Sequence, residues 1–336
     1  MEPVKLGIIG CGIAARELHW PALREMTDKF RITAVCNHTE DKARDFSEVA
    51  GGVPYVLDWR ELVDRDDVDA VSVMLPFEMN REVAEYALAA GRHIMVEKPL
   101  AARTGDAESM LVLENLYPDR VMMVAENFRY RELYLRTRDM LEADAAGSPY
   151  AAIWNFHTDL GSPKNAQYMG TGWRFEEAYP GGFLVDGGVH IIAAIRMLFG
   201  DCISVTSLVR SVNPDAGRVD TMSSLFALHG GVICTVNQFY NVPGHRVNTI
   251  VIYGDKGTII VDNDASTITL KRRDSDPEVT TLQHDPGYRG EYEDFFAAIT
   301  TGSEVSSSFD EGYRDLKYMM GAVESAITGE RVDFDR

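Results

Sequence analysis

The stretch "VKLGIIGCGIAAR", residues 4–16, decides the fold. Its first half is a short apolar run ending in glycine, the pattern of a buried strand. Gly10-x-Gly12-x-x-Ala15 follows directly and opens a helical pattern, "IAARELHWPALREM", which Pro21 must kink or interrupt. The first glycine permits a tight turn and the second lets a pyrophosphate approach the backbone. The small third residue allows helix to pack closely on strand. A helix N-terminus behind the loop supplies positive potential. The motif alone is weak, and a structural turn in a doubly wound sheet is the alternative.

Outward from this loop the chain alternates. Strand-like runs "RITAVC", "DAVSVML", "HIMVEKP" and "RVMMVAEN" are separated by helical patterns "TEDKARDFSEVA", "NREVAEYALAAG" and "GDAESMLVLENLY". Strands joined by helices imply right-handed crossovers and a parallel sheet. This α/β nucleotide domain is expected over residues 1–125, and a second domain over 126–336. After "ELYLRTRDMLEADAAG" the texture becomes strand-rich, with alternating segments such as "AAIWNFHTD", "VICTVNQFY" and "VNTIVIYG". The second domain is therefore expected to be α+β. The final helical patterns, "GEYEDFFAAITTG" and "EGYRDLKYMMGAVESAITG", fit against either domain.

The 336 residues suffice for two cores. With 33 basic and 52 acidic residues the net charge is −19, which repels nucleic acid, and no basic stripe offsets it. No apolar run approaches a membrane span of about 20 residues. The N-terminus lacks a basic n-region and cleavage site, so the expected location is the cytoplasm. Cys11, Cys36, Cys202 and Cys234 have no paired spacing, which predicts reduced thiols and no zinc site.

Three further places carry chemistry. The strand "RITAVC" ends at Asn37, His38 and Thr39. An acid there would hold a ribose 2′-hydroxyl and repel a 2′-phosphate. Neutral Asn37, with His38, Lys42 and Arg44 nearby, tilts the reading toward NADP over NAD. Lys42 and Arg44 read equally as ordinary surface residues of a helix. "IMVEKPL" puts Glu97, Lys98 and Pro99 at the carboxyl end of a strand, the edge where open α/β sheets bind ligands. A salt-bridged lysine in a turn is the plainer alternative. "GGFLVDGGVH", residues 181–190, spaces Asp186 and His190 by four. If Asp186 begins a helix, both face one space, and Gly187 and Gly188 keep that space open. Asp186 as a mere N-cap is the simpler reading.

Together, Gly10-x-Gly12-x-x-Ala15, Leu75-Pro76, Glu97-Lys98-Pro99 and Asp186-x-x-x-His190 resemble the Gfo/Idh/MocA oxidoreductases over nearly the whole chain. The resemblance implies an N-terminal Rossmann domain and a C-terminal domain with a large, open, mostly antiparallel sheet. It implies NAD(P) and a sugar, sugar acid or cyclitol substrate, with hydride moved to or from a carbinol carbon. Gly10, Gly12, Ile13, Ala14, Asn37, His38, Lys42, Leu75, Pro76, Glu97, Lys98 and Asn127 would meet the cofactor. Lys98, Asp186 and His190 would be catalytic, with Arg129, Trp173 and Arg174 beside the substrate. Phe156, His157 and Tyr168 are further candidates for the pocket. Taken alone, Trp173 is the more ordinary core residue and Arg174 the more ordinary surface cation. Asn80 stands where many members have histidine. A homo-oligomer, dimer or tetramer, through the C-terminal sheet is implied as well. Two other functions fit the same architecture: a regulator that binds a dinucleotide without turning it over, and a redox-assisted glycosidase that retains NAD.

Overall fold

A computed structural model describes residues 2–162, 181–213 and 219–334. The chain divides into two compact units. The first comprises residues 1–130 and 287–314, the second 131–286 and 315–336. The boundary expected after residue 125 falls after Tyr130, and part of the C-terminal region returns to the first unit.

The first unit holds a six-stranded sheet, β1 Val4–Ile9, β2 Phe30–Cys36, β3 Tyr55–Val56, β4 Ala70–Val73, β5 His93–Glu97 and β6 Met122–Ala125. Its order is β3-β2-β1-β4-β5-β6, with every pairing parallel. This doubly wound order reverses direction beside β1, so the connections leaving β1 and β4 run to opposite sides of the sheet, the switch point at which such folds bind ligands. The strands are apolar runs because helices cover both faces. Sequence periodicity shows the helices Glu40–Val49, Asn80–Ala89 and Thr104–Leu116 but not the two-residue β3 or the short helix Trp59–Val63.

The helix expected from residue 13 onward is a π-helical turn, Ala14–His19, running into a four-residue α-helix, Trp20–Leu23. Pro21 lies in the first turn of that α-helix, where its missing N–H costs little, and the wider turn before it absorbs the ring. The helix Tyr288–Thr301 closes this unit. Tyr292 and Phe295 are fully buried beside Phe30, and the Phe30 and Phe295 rings stack at 6.4 Å. Burying such a ring stabilises by about 2–3 kcal/mol, which is why this late segment joins the first unit.

The second unit holds a nine-stranded, mostly antiparallel sheet. It comprises β7 Pro149–His157, β8 Cys202–Arg210, β9 Thr221–Leu228, β10 Ile233–Phe239, β11 Val247–Gly254, β12 Gly257–Asp262, β13 Thr267–Arg272, β14 Glu278–Thr281 and β15 Val332–Asp333. The order is β14-β13-β12-β11-β7-β10-β9-β8-β15, and β10 pairs with β7 in parallel. Alternation sends Trp154, Val236, Ile250 and Ile252 into the core. The opposite face carries Leu208, Leu225 and Ile233, 49–75% exposed. Trp154 donates from Nε1 to Asn248 Oδ1 at 3.0 Å, which satisfies the one polar atom of a buried ring.

The helix Gly182–Phe199 packs in the core of this unit. It is 18 residues long with a hydropathy of 1.6, long and apolar enough by composition to cross a membrane. The sequence reading missed such a run. Most of its surface is buried, and Arg196 ties its last turn to Asp201 at 2.7 Å and to Asp315 at 2.5 Å. All four cysteines are free and buried. Burial pushes the Cys11, Cys36 and Cys234 thiols up to about 12, far from the reactive thiolate.

Gly187 and Gly188 do not keep a space open, contrary to the expectation above. A Cβ on Gly187 would overlap the Tyr240 hydroxyl, and one on Gly188 would overlap the Met319 thioether and crowd Gln238. Both glycines let the helix approach its neighbours. In an exposed helix, Gly→Ala stabilises by about 1 kcal/mol. Here Gly187→Ala should destabilise by about 1–3 kcal/mol through overpacking, and urea melts of the two proteins read the sign directly.

Candidate active site

The glycine loop ends β1. Gly10 has a φ of +98°, and a Cβ there would overlap the Met74 carbonyl at the end of β4. Only glycine satisfies both conditions. Gly12 is the opposite case: a Cβ there meets nothing within 4 Å, so its backbone faces open space. That open face is what a pyrophosphate needs, and Ala15, fully buried, supplies the close packing behind it. The residues present therefore fit a dinucleotide.

Asn37 is committed to the loop. Its Oδ1 accepts the Cys11 N–H at 3.1 Å, and its Nδ2 donates to the Thr39 carbonyl at 3.3 Å. Arg44 ion-pairs with Asp41 at 2.6 Å on the exposed side of the helix. His38 and Lys42 are exposed. Sequence reasoning missed Arg16. Its guanidinium donates to the Cys11 carbonyl at 3.3 Å and the Lys42 carbonyl at 3.2 Å. A cation thus braces the loop against the next helix, beside the end of β2.

Leu75 and Pro76 follow β4. Asn80, buried at the start of the helix Asn80–Ala89, donates from Nδ2 to three carbonyls: Glu97 at 3.0 Å, Pro99 at 3.2 Å and Leu100 at 3.2 Å. It clamps the turn that carries Lys98. The Lys98–Pro99 peptide is cis, and Lys98 itself is half-buried. Glu97 Oε2 accepts the Lys98 backbone N–H at 3.0 Å, and Glu97 Oε1 lies 2.7 Å from His19 Nε2. Asn127 is buried in the short helix after β6. Arg129 in the same helix is buried and pairs with Glu311 at 2.9 Å.

Behind this edge lies a group that the sequence does not reveal. Glu291 is fully buried, and neither carboxyl oxygen has a hydrogen-bond partner among the described residues. His19 Nδ1 is 3.5 Å away. Burial, then the charges of Glu97 and Glu126, push this carboxyl well above the ordinary carboxylate range.

In the second unit, Gly181 has a φ of +89° and Gly182 one of +46°, so the helix starts at Gly182. Asp186 is therefore neither the N-cap nor the first residue, as the sequence suggested; it lies one turn inside. Asp186 and His190 remain one turn apart on one side, both partly exposed. Tyr240 sits against Gly187, and burial raises its hydroxyl above the ordinary tyrosine value. Phe156 meets Tyr240 at 5.4 Å. Phe156 pairs with Gln238, which reaches the 182–199 helix through the Leu184 carbonyl. His157, one residue on, takes the other face of the sheet and stacks on Phe239 at 4.7 Å. Only Phe156 of that pair lies on the helix side. Tyr168, Trp173 and Arg174 lie outside the described residues.

A family profile described as an oxidoreductase family with an NAD-binding Rossmann fold matches residues 4–125, and a Gfo/Idh/MocA C-terminal domain profile matches residues 134–260. A dTDP-3,4-didehydro-2,6-dideoxy-α-D-glucose 3-reductase of Actinomadura kijaniata is 31% identical over 69% of this chain and 67% of that protein. A levoglucosan dehydrogenase of Pseudarthrobacter phenanthrenivorans is 25% identical over 99% of this chain and 98% of its own. An oxidoreductase of Thermotoga maritima superposes with a TM-score of 0.90 at 31% identity, over 98% of each chain.

Glu291 also sets a pH dependence. Its acid is raised in the folded protein and ordinary in the unfolded one, so the folded state binds the extra proton. The stability this group contributes is intact below the ordinary carboxyl value and is lost as pH rises through the raised one. Glu291→Gln removes that titration. Between about pH 4 and pH 8 its melting temperature should gain on that of the parent; parallel curves would show that the carboxyl does not titrate this way.

The glycine loop at the open edge of β1, the Lys98 turn at the end of β5 and the two matching profiles agree: the chain belongs to the Gfo/Idh/MocA family of NAD-binding oxidoreductases.

Proposed function

We propose that this chain moves a hydride between nicotinamide and a carbinol or carbonyl carbon of a sugar, sugar acid or cyclitol. The observation that carries the reading is Lys98 at the carboxyl edge of the parallel sheet, held in a turn clamped by Asn80. Asp186 and His190, one turn apart in the second unit, supply the complementary groups. Relatives named for a dehydrogenase of levoglucosan and a 3-reductase of a keto sugar nucleotide support a sugar-like substrate.

Nicotinamide supplies the hydride chemistry when bound. The chain does the rest. His190 takes the hydroxyl proton during oxidation and returns it during reduction, a task suited to an imidazole near neutral pH. The Lys98 ammonium faces the oxygen on which negative charge develops. Asp186 accepts a hydrogen bond from a neighbouring hydroxyl. Gly10, Gly12, Ile13 and Ala14 cradle the pyrophosphate. Leu75, Pro76 and Asn127 line the nicotinamide end, and Arg129, Trp173 and Arg174 belong to the substrate side. Arg129 acts there through its pairing with Glu311.

NADP is the favoured cofactor. Asn37 places no carboxylate at the ribose, and its amide is spent on the loop. Exposed Lys42, with Arg16 behind it, offers positive charge to a 2′-phosphate, and exposed His38 a hydrogen-bonding ring nitrogen. The exposed row of Leu208, Leu225 and Ile233 supports a homo-oligomer through the large sheet. A cytoplasmic enzyme completes the reading.

The assay follows reduced-nicotinamide absorbance with NAD or NADP across a panel of sugars and cyclitols, in both directions. Substrate-dependent turnover is expected, with a higher kcat/KM for NADP. Binding without turnover across the panel would favour a regulator. His190→Ala should lower kcat by about 10²–10⁴-fold with little change in cofactor affinity, and equal loss of both would remove it as the base. Lys98→Met should be comparably crippled.

A further inference from the structure

His19 is nearly fully buried, and the chemistry above does not use it. It ends the π-helical turn Ala14–His19, which begins in the glycine loop. Its Nε2 meets Glu97 Oε1 at 2.7 Å, and the other oxygen of that carboxylate accepts the Lys98 N–H at 3.0 Å. A carboxylate only accepts, so Nε2 carries the proton. In the neutral ring Nδ1 is then an acceptor, and the Tyr292 hydroxyl, 3.0 Å away, donates to it. The Tyr292 oxygen accepts in turn from Ser72 at 3.0 Å. With the ring neutral, the line runs from Ser72 to Tyr292 to His19 to Glu97. Tyr288 and Tyr292, with ring centroids 5.1 Å and 5.7 Å from the imidazole, hold its plane. The other charged or titratable groups nearby are Glu291, at 3.5 Å from Nδ1, and Glu126.

A polar bridge that served only to join helices would end on a structural partner. This one ends on the residue before Lys98 and on the backbone of Lys98 itself. It passes through His19, the last residue of the turn that begins in the glycine loop. We propose that His19 is a positioning residue for Lys98: by fixing the Glu97 carboxylate it sets the placement of the lysine and ties that placement to the glycine loop. This rests on the hydride-transfer reading for what Lys98 does, not for the link itself.

Two variants separate positioning from packing. His19→Phe keeps an aromatic ring and removes both nitrogens. His19→Gln keeps one amide donor in reach of Glu97. Each is assayed for kcat, KM, cofactor dissociation constant and melting temperature. Lys98 reactivity is read independently of turnover, by competitive labelling with acetic anhydride across pH and peptide mass spectrometry. His19→Phe should lower kcat by about 10- to 100-fold, the scale of a small misplacement of a catalytic group. Its cofactor affinity should stay within about threefold, and the midpoint of Lys98 labelling should move. His19→Gln should recover most of kcat and restore the midpoint. Unchanged kcat and labelling in His19→Phe would overturn the proposal. So would equal losses in both variants that track a lower melting temperature. If His19→Phe does not fold, Glu97→Gln carries the same readouts, since it sets an NH2 donor against one of the two donors that the carboxylate oxygens now receive separately. A parent protein that binds dinucleotide but oxidises no polyol would sink the hydride-transfer reading alone, and the labelling curves still decide the His19 link.

Discussion

The approach of Gly10 to the Met74 carbonyl is the constraint on which the rest of the first unit depends. At that point β1 must turn while β4 ends beside it, and the lack of a side chain lets both happen in the same space. The Gly10 N–H reaches the Cys36 carbonyl at 2.8 Å and the Met74 N–H reaches the Ile9 carbonyl at 2.7 Å, so three strands finish at one level. The groups of the candidate site that leave these strands follow from it. Asn37 braces the loop from β2, Leu75 and Pro76 leave β4, and Glu97 and Lys98 leave β5. A bulkier residue at position 10 would push these strand ends apart, and the groups they carry would separate with them.

The polar interior beneath this edge follows a second rule, that a buried carboxylate must be answered by donors. Glu97 is answered by the His19 ring and the Lys98 amide. Glu291, without such donors, is instead pushed toward its neutral acid by burial and by its acidic neighbours. Two carboxyls of the same chemistry beside one imidazole thus differ in their partners: one receives two hydrogen bonds, the other none among the described residues.

Much of the fold was legible because its signals are local. The glycine loop, the alternation of strands with helices, and the Glu97-Lys98-Pro99 and Asp186-x-x-x-His190 groups are each read within about ten residues. What was illegible is non-local. His19 and Tyr292 are 273 positions apart, and no periodicity joins them. Asn80 looked only like a departure from a common residue, whereas its amide spans three carbonyls of another turn. Arg16 folds back on the loop that precedes it, and its position in a helical pattern gave no sign of that. Gly187 and Gly188 were misread for a physical reason: a missing side chain signals close approach, but not of what. The sequence suggests a ligand; in the structure the neighbours are Tyr240 and Met319.

The first unit is discontinuous, with its last piece at residues 287–314. As a ribosome makes the chain, β1 to β6 emerge early, yet Phe30 has no Phe295 or Tyr292 to cover it until more than 150 further residues have been added. The nucleotide half therefore waits, incompletely cored, while the first eight strands of the large sheet, β7 to β14, are synthesised. The order of manufacture and the order of completion are opposed: the domain whose sequence comes first is the one that must be finished near the end.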